Sequence, residues 1–349
     1  GVAVARWLDS ADPPAGTSGI VIGRDPRPSG EALRSAIIRG LMDAGSGPVR
    51  DGGVVPTPAL AQAVEQTGAR LGIMLTASHN PAADNGIKLF RWDGRKLNEE
   101  EQDRIEAELE RLAGADRPAG GEPVVQPEAV DILSGYIDRC AATLADRDLA
   151  HRRIVLDTAN GAMRTAATRV FERLGAEVYA LGDDDDGSRI NLACGSEHPG
   201  RIVSAVREQG AAIGFAFDGD GDRLVVADET GAVVDGDRLL AVIGRNGRRE
   251  GWLRQPLIVA TVQSNLGLDR YLERHGIEVA RARVGDRFVA ELMKSRGTNF
   301  GGENSGHLIF GDESASGDGL KAALRVLRIM IEDGRPFSRI PADVMLFPQ

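Results

Sequence analysis

Cysteine is almost missing from this chain of 349 residues: Cys140 and Cys194 stand far apart and outside any CxxC spacing. A disulfide framework is therefore excluded, no zinc site is suggested, and both residues read as ordinary small side chains. Long hydrophobic runs are missing too. No stretch approaches the roughly 18 apolar residues that a membrane span needs, and Gly1 to Ser10 does not read as a secretory signal, so a cytoplasmic protein with no membrane partner is the expectation. Positive charge is in deficit: 42 Lys and Arg face 52 Asp and Glu, for a net charge of -10 and a pI near 5.2. That balance argues against a general nucleic-acid binder, since phosphate backbones select basic surfaces. A small anionic substrate would need arginines and lysines gathered locally against the overall field.

What is present is the composition of a folded globular protein, 42% hydrophobic and 27% charged, long enough for two or three domains. Gly1 to Leu8 suits a helix, and Gly19 to Ile22 a strand that opens into Gly23-Arg-Asp-Pro-Arg-Pro-Ser-Gly30. Ser29 is placed to cap a helix with Leu33, Ile37 and Leu41 on one face. Asn98 before three glutamates marks another helix start, with Ile105, Leu109 and Leu112 on its buried side. Ala113 to Pro127, rich in Gly, Ala and Pro, reads as a linker. Strand and helix patterns then alternate through two further α/β units. Asp183 to Asp186 reads as a solvated acidic loop, because nothing at ligand spacing accompanies it.

Three loops carry candidate chemistry. The apolar run Leu71 to Leu75 opens into Thr76-Ala-Ser-His-Asn-Pro81, then Asp84-Asn-Gly-Ile-Lys88, where Ser78 is a potential nucleophile and His79 and Lys88 are potential proton carriers or phosphate partners. Taken alone, the six residues suit a solvated serine loop equally well. Arg24 is likewise a candidate phosphate ligand or a plain surface arginine. In the second loop, Asp218, Asp220 and Asp222 alternate with glycines between two apolar strands. At about 4 Å and an effective dielectric near 20, each pair of like charges repels by about 4 kcal/mol; either the loop splays them or a cation joins them, and three hard oxygens suit Mg²⁺. An EF-hand is excluded by Arg223 at the position that needs glycine and by strand-like flanks. Arg223 is placed to meet a phosphate bidentately. In the third loop, Gly302-Glu-Asn-Ser-Gly-His307, the residues Glu303, Ser305 and His307 would share one face if the segment ran extended, offering acceptor, hydroxyl and imidazole to a sugar phosphate. A helix N-terminus at Gly285 could bind an anion.

TASHNP, DGDGDR and GENSGH occur here in the order and spacing of the α-D-phosphohexomutases, and the chain resembles that family over nearly its whole length. DNGIKLF, CGSEHP, TVQSNLG, VGDRFV and SGDGL look most like its bacterial phosphoglucosamine mutase branch. The resemblance implies three consecutive similar α/β units, each a mixed sheet with helices, around a central cleft. It implies a phosphoserine at Ser78, Mg²⁺ on Ser78, Asp218, Asp220 and Asp222, and Lys88, His79 and Arg24 as catalytic groups. Substrate would be held by Arg223, Gly285, Glu303, Ser305 and His307. The partner would be a small phosphosugar, activated by glucosamine 1,6-bisphosphate or glucose 1,6-bisphosphate, in a protein that could be a homodimer. Domains are expected over 1–117, 128–234 and 235–338, with 339–349 opening a linker. Relatives begin with a strand and a Gly-Thr-Asp-Gly loop ahead of the first helix and end with a fourth, phosphate-binding domain. Neither is in this sequence, so a truncated chain with weak or no turnover is expected. Two alternatives stay open: a phosphomannomutase or phosphoglucomutase of the same family, and a sugar-phosphate-binding module without catalysis.

Overall fold

A computed structural model of the chain describes residues 1–11, 13–113, 127–144 and 146–348. The expected linker over Ala113 to Pro127 lies, apart from its two end residues, outside the described residues. The first sheet holds β1 (Ile20–Arg24), β2 (Val49–Val54), β3 (Leu71–Leu75), β4 (Ile87–Arg91) and β5 (Glu128–Ala129) in the order β4-β3-β1-β2-β5. The second holds β6 (Arg153–Asp157), β7 (Glu177–Leu181), β8 (Ile213–Phe217), β9 (Leu224–Asp228) and β10 (Val233–Val234) in the order β10-β9-β8-β6-β7, and the third holds β11 (Leu257–Thr261), β12 (Glu278–Ala282), β13 (Phe300–Gly302) and β14 (Leu308–Phe310) in the order β12-β11-β13-β14. Helices cover the sheets, so central strands such as β3, β8 and β11 are buried along their whole length and read as unbroken apolar runs.

All three units share one plan. The first strand lies between the second and third in parallel, and the fourth returns antiparallel to the third. Each motif loop is the same topological piece, the turn from third to fourth strand, beside the point where the chain winds outward in both directions from the first strand. Open α/β sheets bind ligands at that point. Residues 128 and 129, expected to open the second domain, instead pair with β2 and extend the first sheet.

Side-chain capping sets some helix starts and not others. Asn98 and Glu101 form a reciprocal capping box, each side chain accepting the other's backbone N–H at 2.9 Å. That helix, Glu99–Ala113, buries Ile105, but Leu109 is 60% exposed; its apolar side is narrower than the spacing suggests. Ser29 precedes the Gly30–Asp43 helix without capping it, because its hydroxyl accepts from Asn85 in the Ser78 loop instead. Cys140 and Cys194 are buried, unpaired thiols. Among the described residues no helix is long and apolar enough to cross a membrane.

The helix Gly319–Asp333 begins at a buried carboxylate with a pH signature. Asp318 accepts the Lys321 N–H at 2.9 Å and the Tyr136 hydroxyl at 2.8 Å, and burial pushes its pKa from the ordinary 3.8 to about 6. Because the folded value is raised, the native state holds an extra proton between those two pH values, and stability falls as pH rises through that window. Asp318→Asn keeps the acceptor for both partners. It should flatten the fall and stabilise the protein at pH 7 by on the order of 2–3 kcal/mol, read from urea unfolding at pH 4.5 and 7.

Candidate active site

Ser78 sits in the left-handed region with φ 52°, a conformation that costs a residue with a Cβ about 1 kcal/mol or more unless its surroundings enforce it. They do. The Ser78 N–H donates to the Thr76 hydroxyl at 2.9 Å, and that hydroxyl donates to buried Asp25 at 2.6 Å. Arg27, 1% exposed, pairs with Asp25 at 2.9 Å and donates to the carbonyls of Ser78, Asn80 and Asp84, each at 2.9 Å, and to that of Pro81. From the second domain, the Asn191 amide donates to the Ser78 and Asn80 carbonyls at 2.8 and 2.9 Å. The domains meet closely beside it: a Cβ on Gly187 would lie 1.6 Å from the Pro26 carbonyl oxygen. Sequence reading singled out Arg24 and passed over Arg27 and Asn191. Asp25, two residues before Arg27, was the only available signal.

The held hydroxyl points at the acidic loop. Ser78 Oγ lies 2.5 Å from Asp218 Oδ2, and Arg223 N–H donates to Asp218 Oδ1 at 3.1 Å. This approach needs Gly219, where a Cβ would sit 2.7 Å from the Ser78 carbonyl oxygen. Asp218, Asp220 and Asp222 are all buried, and one carboxylate oxygen from each lies within 4.8 Å of the others. The repulsion anticipated from sequence is relieved by Lys88, whose Nζ is 2.5 Å from Asp220 and 2.8 Å from Asp222. Thr57 adds a hydroxyl to Asp220.

Protonation follows this layout. Burial, reinforced by the charges of Asp222 and Asp220, pushes the Asp218 carboxyl well above its usual range. Burial opposes ionisation of Asp222 as well, but the Lys88 ammonium and His307 hold it well below that range. Burial likewise disfavours charge on Lys88, and Asp220 and Asp222 more than offset it, keeping the ammonium protonated far above ordinary lysine. The Oδ1 atoms of Asp220 and Asp222 are buried without a hydrogen-bond partner. Three converging carboxylates, two of which carry an unpartnered oxygen, fit a divalent cation.

The third loop differs from its expected extended course. Glu303 N–H bonds to His307 O at 2.9 Å and Gly306 N–H to Glu303 O at 3.1 Å, so the segment is a tight hairpin turn; Ser305 is exposed, Glu303 half-buried and His307 buried. A turn separates side chains that a strand would align. Gly285 N–H is already engaged, donating to Glu303 Oε1 at 2.9 Å. His307 Nε2 accepts the Gly317 N–H at 3.0 Å and lies 3.4 Å from Asp286, while Nδ1 lies 3.5 Å from Asp222. Burial disfavours charge on His307, and Asp222 and Asp286 outweigh it, raising its pKa. Asp286 is also paired with Lys96 of the first domain. A backbone bridge between Arg223 and His307 joins the second and third loops. Arg24 stands at the edge of β1, 3.4 Å from Glu31 with its Nε buried and unpartnered, and the Nδ1 of half-buried His79 is likewise unpartnered. Arg223 extends its guanidinium to 3.5 Å from Glu197.

Residues 1–115, 134–231 and 235–346 match the phosphoglucomutase/phosphomannomutase α/β/α domains I, II and III, respectively. The chain belongs to the phosphoglucomutase/phosphomannomutase family. Within that family it is 44% identical over 338 residues to a phosphoglucosamine mutase of Streptococcus pneumoniae, covering 95% of this chain and 73% of the relative. A phosphoglucomutase/phosphomannomutase family protein from Burkholderia thailandensis superposes with a TM-score of 0.80 at 29% identity, over 95% of this chain and 71% of that one. An Aspergillus fumigatus N-acetylphosphoglucosamine mutase, solved with GlcNAc-6P and magnesium, shares the fold with a TM-score of 0.58 at 18% identity, over 82% of this chain and 74% of that one. The phosphohexomutase resemblance drawn from three short motifs thus extends through all three domains.

Proposed function

We propose that this protein interconverts glucosamine 6-phosphate and glucosamine 1-phosphate through a phosphoserine at Ser78 and a 1,6-bisphosphate. The observation that carries the reading is the Ser78 hydroxyl held 2.5 Å from the buried aspartate cluster; 44% identity to a phosphoglucosamine mutase selects the sugar. In the forward half-reaction the bond from Ser78 Oγ to phosphorus breaks, a bond from phosphorus to the sugar oxygen forms, and the proton that the sugar hydroxyl gives up is balanced by one taken up at the freed Ser78 Oγ. The bisphosphate then returns its other phosphoryl group to Ser78.

Phosphoryl transfer asks the protein chiefly for positioning and charge neutralisation. Asp218, Asp220 and Asp222, with a phosphate on Ser78, would hold Mg²⁺, which when bound offsets charge on the phosphoryl oxygens. Arg27 and Asn191 fix the carbonyls around Ser78 and so aim its oxygen. Arg24, His79 and Arg223 ring the loop mouths as donors to phosphate. Lys88, paired as an ammonium with Asp220 and Asp222, stabilises charge; to take the sugar proton it must first give up one of its own, which those two aspartates oppose. Glu303, oriented by the Gly285 amide, and exposed Ser305 are the sugar-hydroxyl contacts, and His307 braces the loop between Asp222 and Asp286.

The test is intact mass and peptide mapping after incubation with Mg²⁺ and glucosamine 1,6-bisphosphate, with glucose 1,6-bisphosphate in parallel. One added phosphoryl group on Ser78, none in Ser78→Ala, and faster turnover of glucosamine than of mannose or glucose phosphates are expected. Faster turnover of mannose or glucose phosphate would assign a different sugar. Sugar-phosphate binding with no phosphoserine would make the chain a binding module.

A further inference from the structure

We infer that a second anion site, separate from Ser78, lies between the second and third domains and takes a compact polyanion of the di- or triphosphate class. The site is an open groove of about 770 Å³ walled by the helices Leu133–Ala142, Gly236–Glu250 and Gly319–Asp333. Among the described residues six cationic side chains line it, against two carboxylates, Glu250 and Glu332. Two more carboxylates reach the same cations from outside: Asp146 pairs with Arg147 and Arg328, and Glu313 with Lys321 and Arg325. A surplus of positive charge remains, in a chain whose net charge is -10.

The hydrogen bonding points the same way. Three donors on the lining residues have no partner among the described residues: the hydroxyl of Thr143, which is only 8% exposed, Arg325 Nε and Trp252 Nε1. Buried donors left unpaired are costly, and their common need is an acceptor-rich ligand. Among the described residues no carboxylate comes closer to Arg325 than 3.7 Å, and Arg139 bonds the neutral Gln62 at 2.7 Å. Arginine forks spread along a groove suit several phosphate groups in a row. Arg325 also covers the Trp252 ring, 4.6 Å from its centroid. A nucleotide base would find that face taken, so recognition falls on the phosphates. Such a ligand would clasp two domains and the helix whose first amide, Gly319 N–H, bonds to Gly221 O of the aspartate loop at 3.1 Å.

Calorimetric titration of the metal-free full chain with sodium tripolyphosphate tests this. Saturable binding is expected, with ATP within about 3-fold of tripolyphosphate if phosphates alone are read; tighter ATP binding would identify a nucleotide as the source of the same group. Arg325→Met should weaken binding by about 10-fold or more and solvent-exposed Arg147→Ala by about 3-fold, while Arg223→Ala at the Ser78 site leaves it unchanged. Should Arg325→Met fail to fold, Arg147→Ala and Arg139→Gln decide. No saturable binding overturns the inference, as does binding lost in Arg223→Ala and retained in the groove variants.

Discussion

Ser78→Ala should lower mutase turnover by about 10⁴-fold or more and abolish phosphate incorporation, with little change in stability. In the proposed reaction the phosphoryl group is carried on an oxygen that alanine lacks, and among the described residues no second hydroxyl is held against Asp218. The fold should tolerate the change because the loop is fixed by backbone groups that survive it: the Ser78 carbonyl keeps Arg27 and Asn191, and the Ser78 amide keeps Thr76. Asp218 keeps the Arg223 amide at 3.1 Å. The measurement pairs steady-state turnover with thermal unfolding. Residual activity near wild type would remove Ser78 from the mechanism and with it the phosphoserine reading.

Arg27→Met carries the largest expected stability effect. It leaves the Asp25 carboxylate, 0% exposed, without its guanidinium and takes one donor from each of four loop carbonyls, of which those of Ser78 and Asn80 keep the Asn191 amide. Breaking one side of a buried ion pair costs about 3–5 kcal/mol, which urea unfolding would register as an early transition of the first domain. Arg27→Lys should fare little better in activity, because one ammonium cannot reproduce a planar fork that reaches Asp25 and four carbonyls at once. The double variant Asp25→Asn, Arg27→Met removes both charges and should recover stability without recovering turnover. Recovery of both would mean that the loop holds its shape without the arginine.

These two residues also mark where sequence was and was not legible. Ser78, Asp218, Asp220 and Asp222 could be read because their chemistry is written in short, contiguous wording at strand ends. Arg27 could not be ranked above Arg24, since its importance arises from carbonyls some fifty residues away, and carbonyls have no letter. Asn191 acts across a domain boundary from a loop with no periodic signal. The third loop was misjudged for a related reason. Alternation of Glu303, Ser305 and His307 implies a shared face only in an extended chain, whereas the backbone bonds of a five-residue return between β13 and β14 impose a turn. That all three motifs occupy the same junction, third strand to fourth, was beyond one-dimensional reading, because strand order is settled by pairing between distant segments.

The pairing of Lys88 with Asp220 and Asp222 bears on how the first two domains stay together. A cluster of three buried carboxylates would ordinarily push its own loop open. Here the counter-charge is tethered to the chain, arriving from the first domain on β4 and landing on the second. The cleft therefore carries its own stopper. The charge that closes the cleft belongs to the chain itself, and it fastens the first domain to the second at the point where their loops meet.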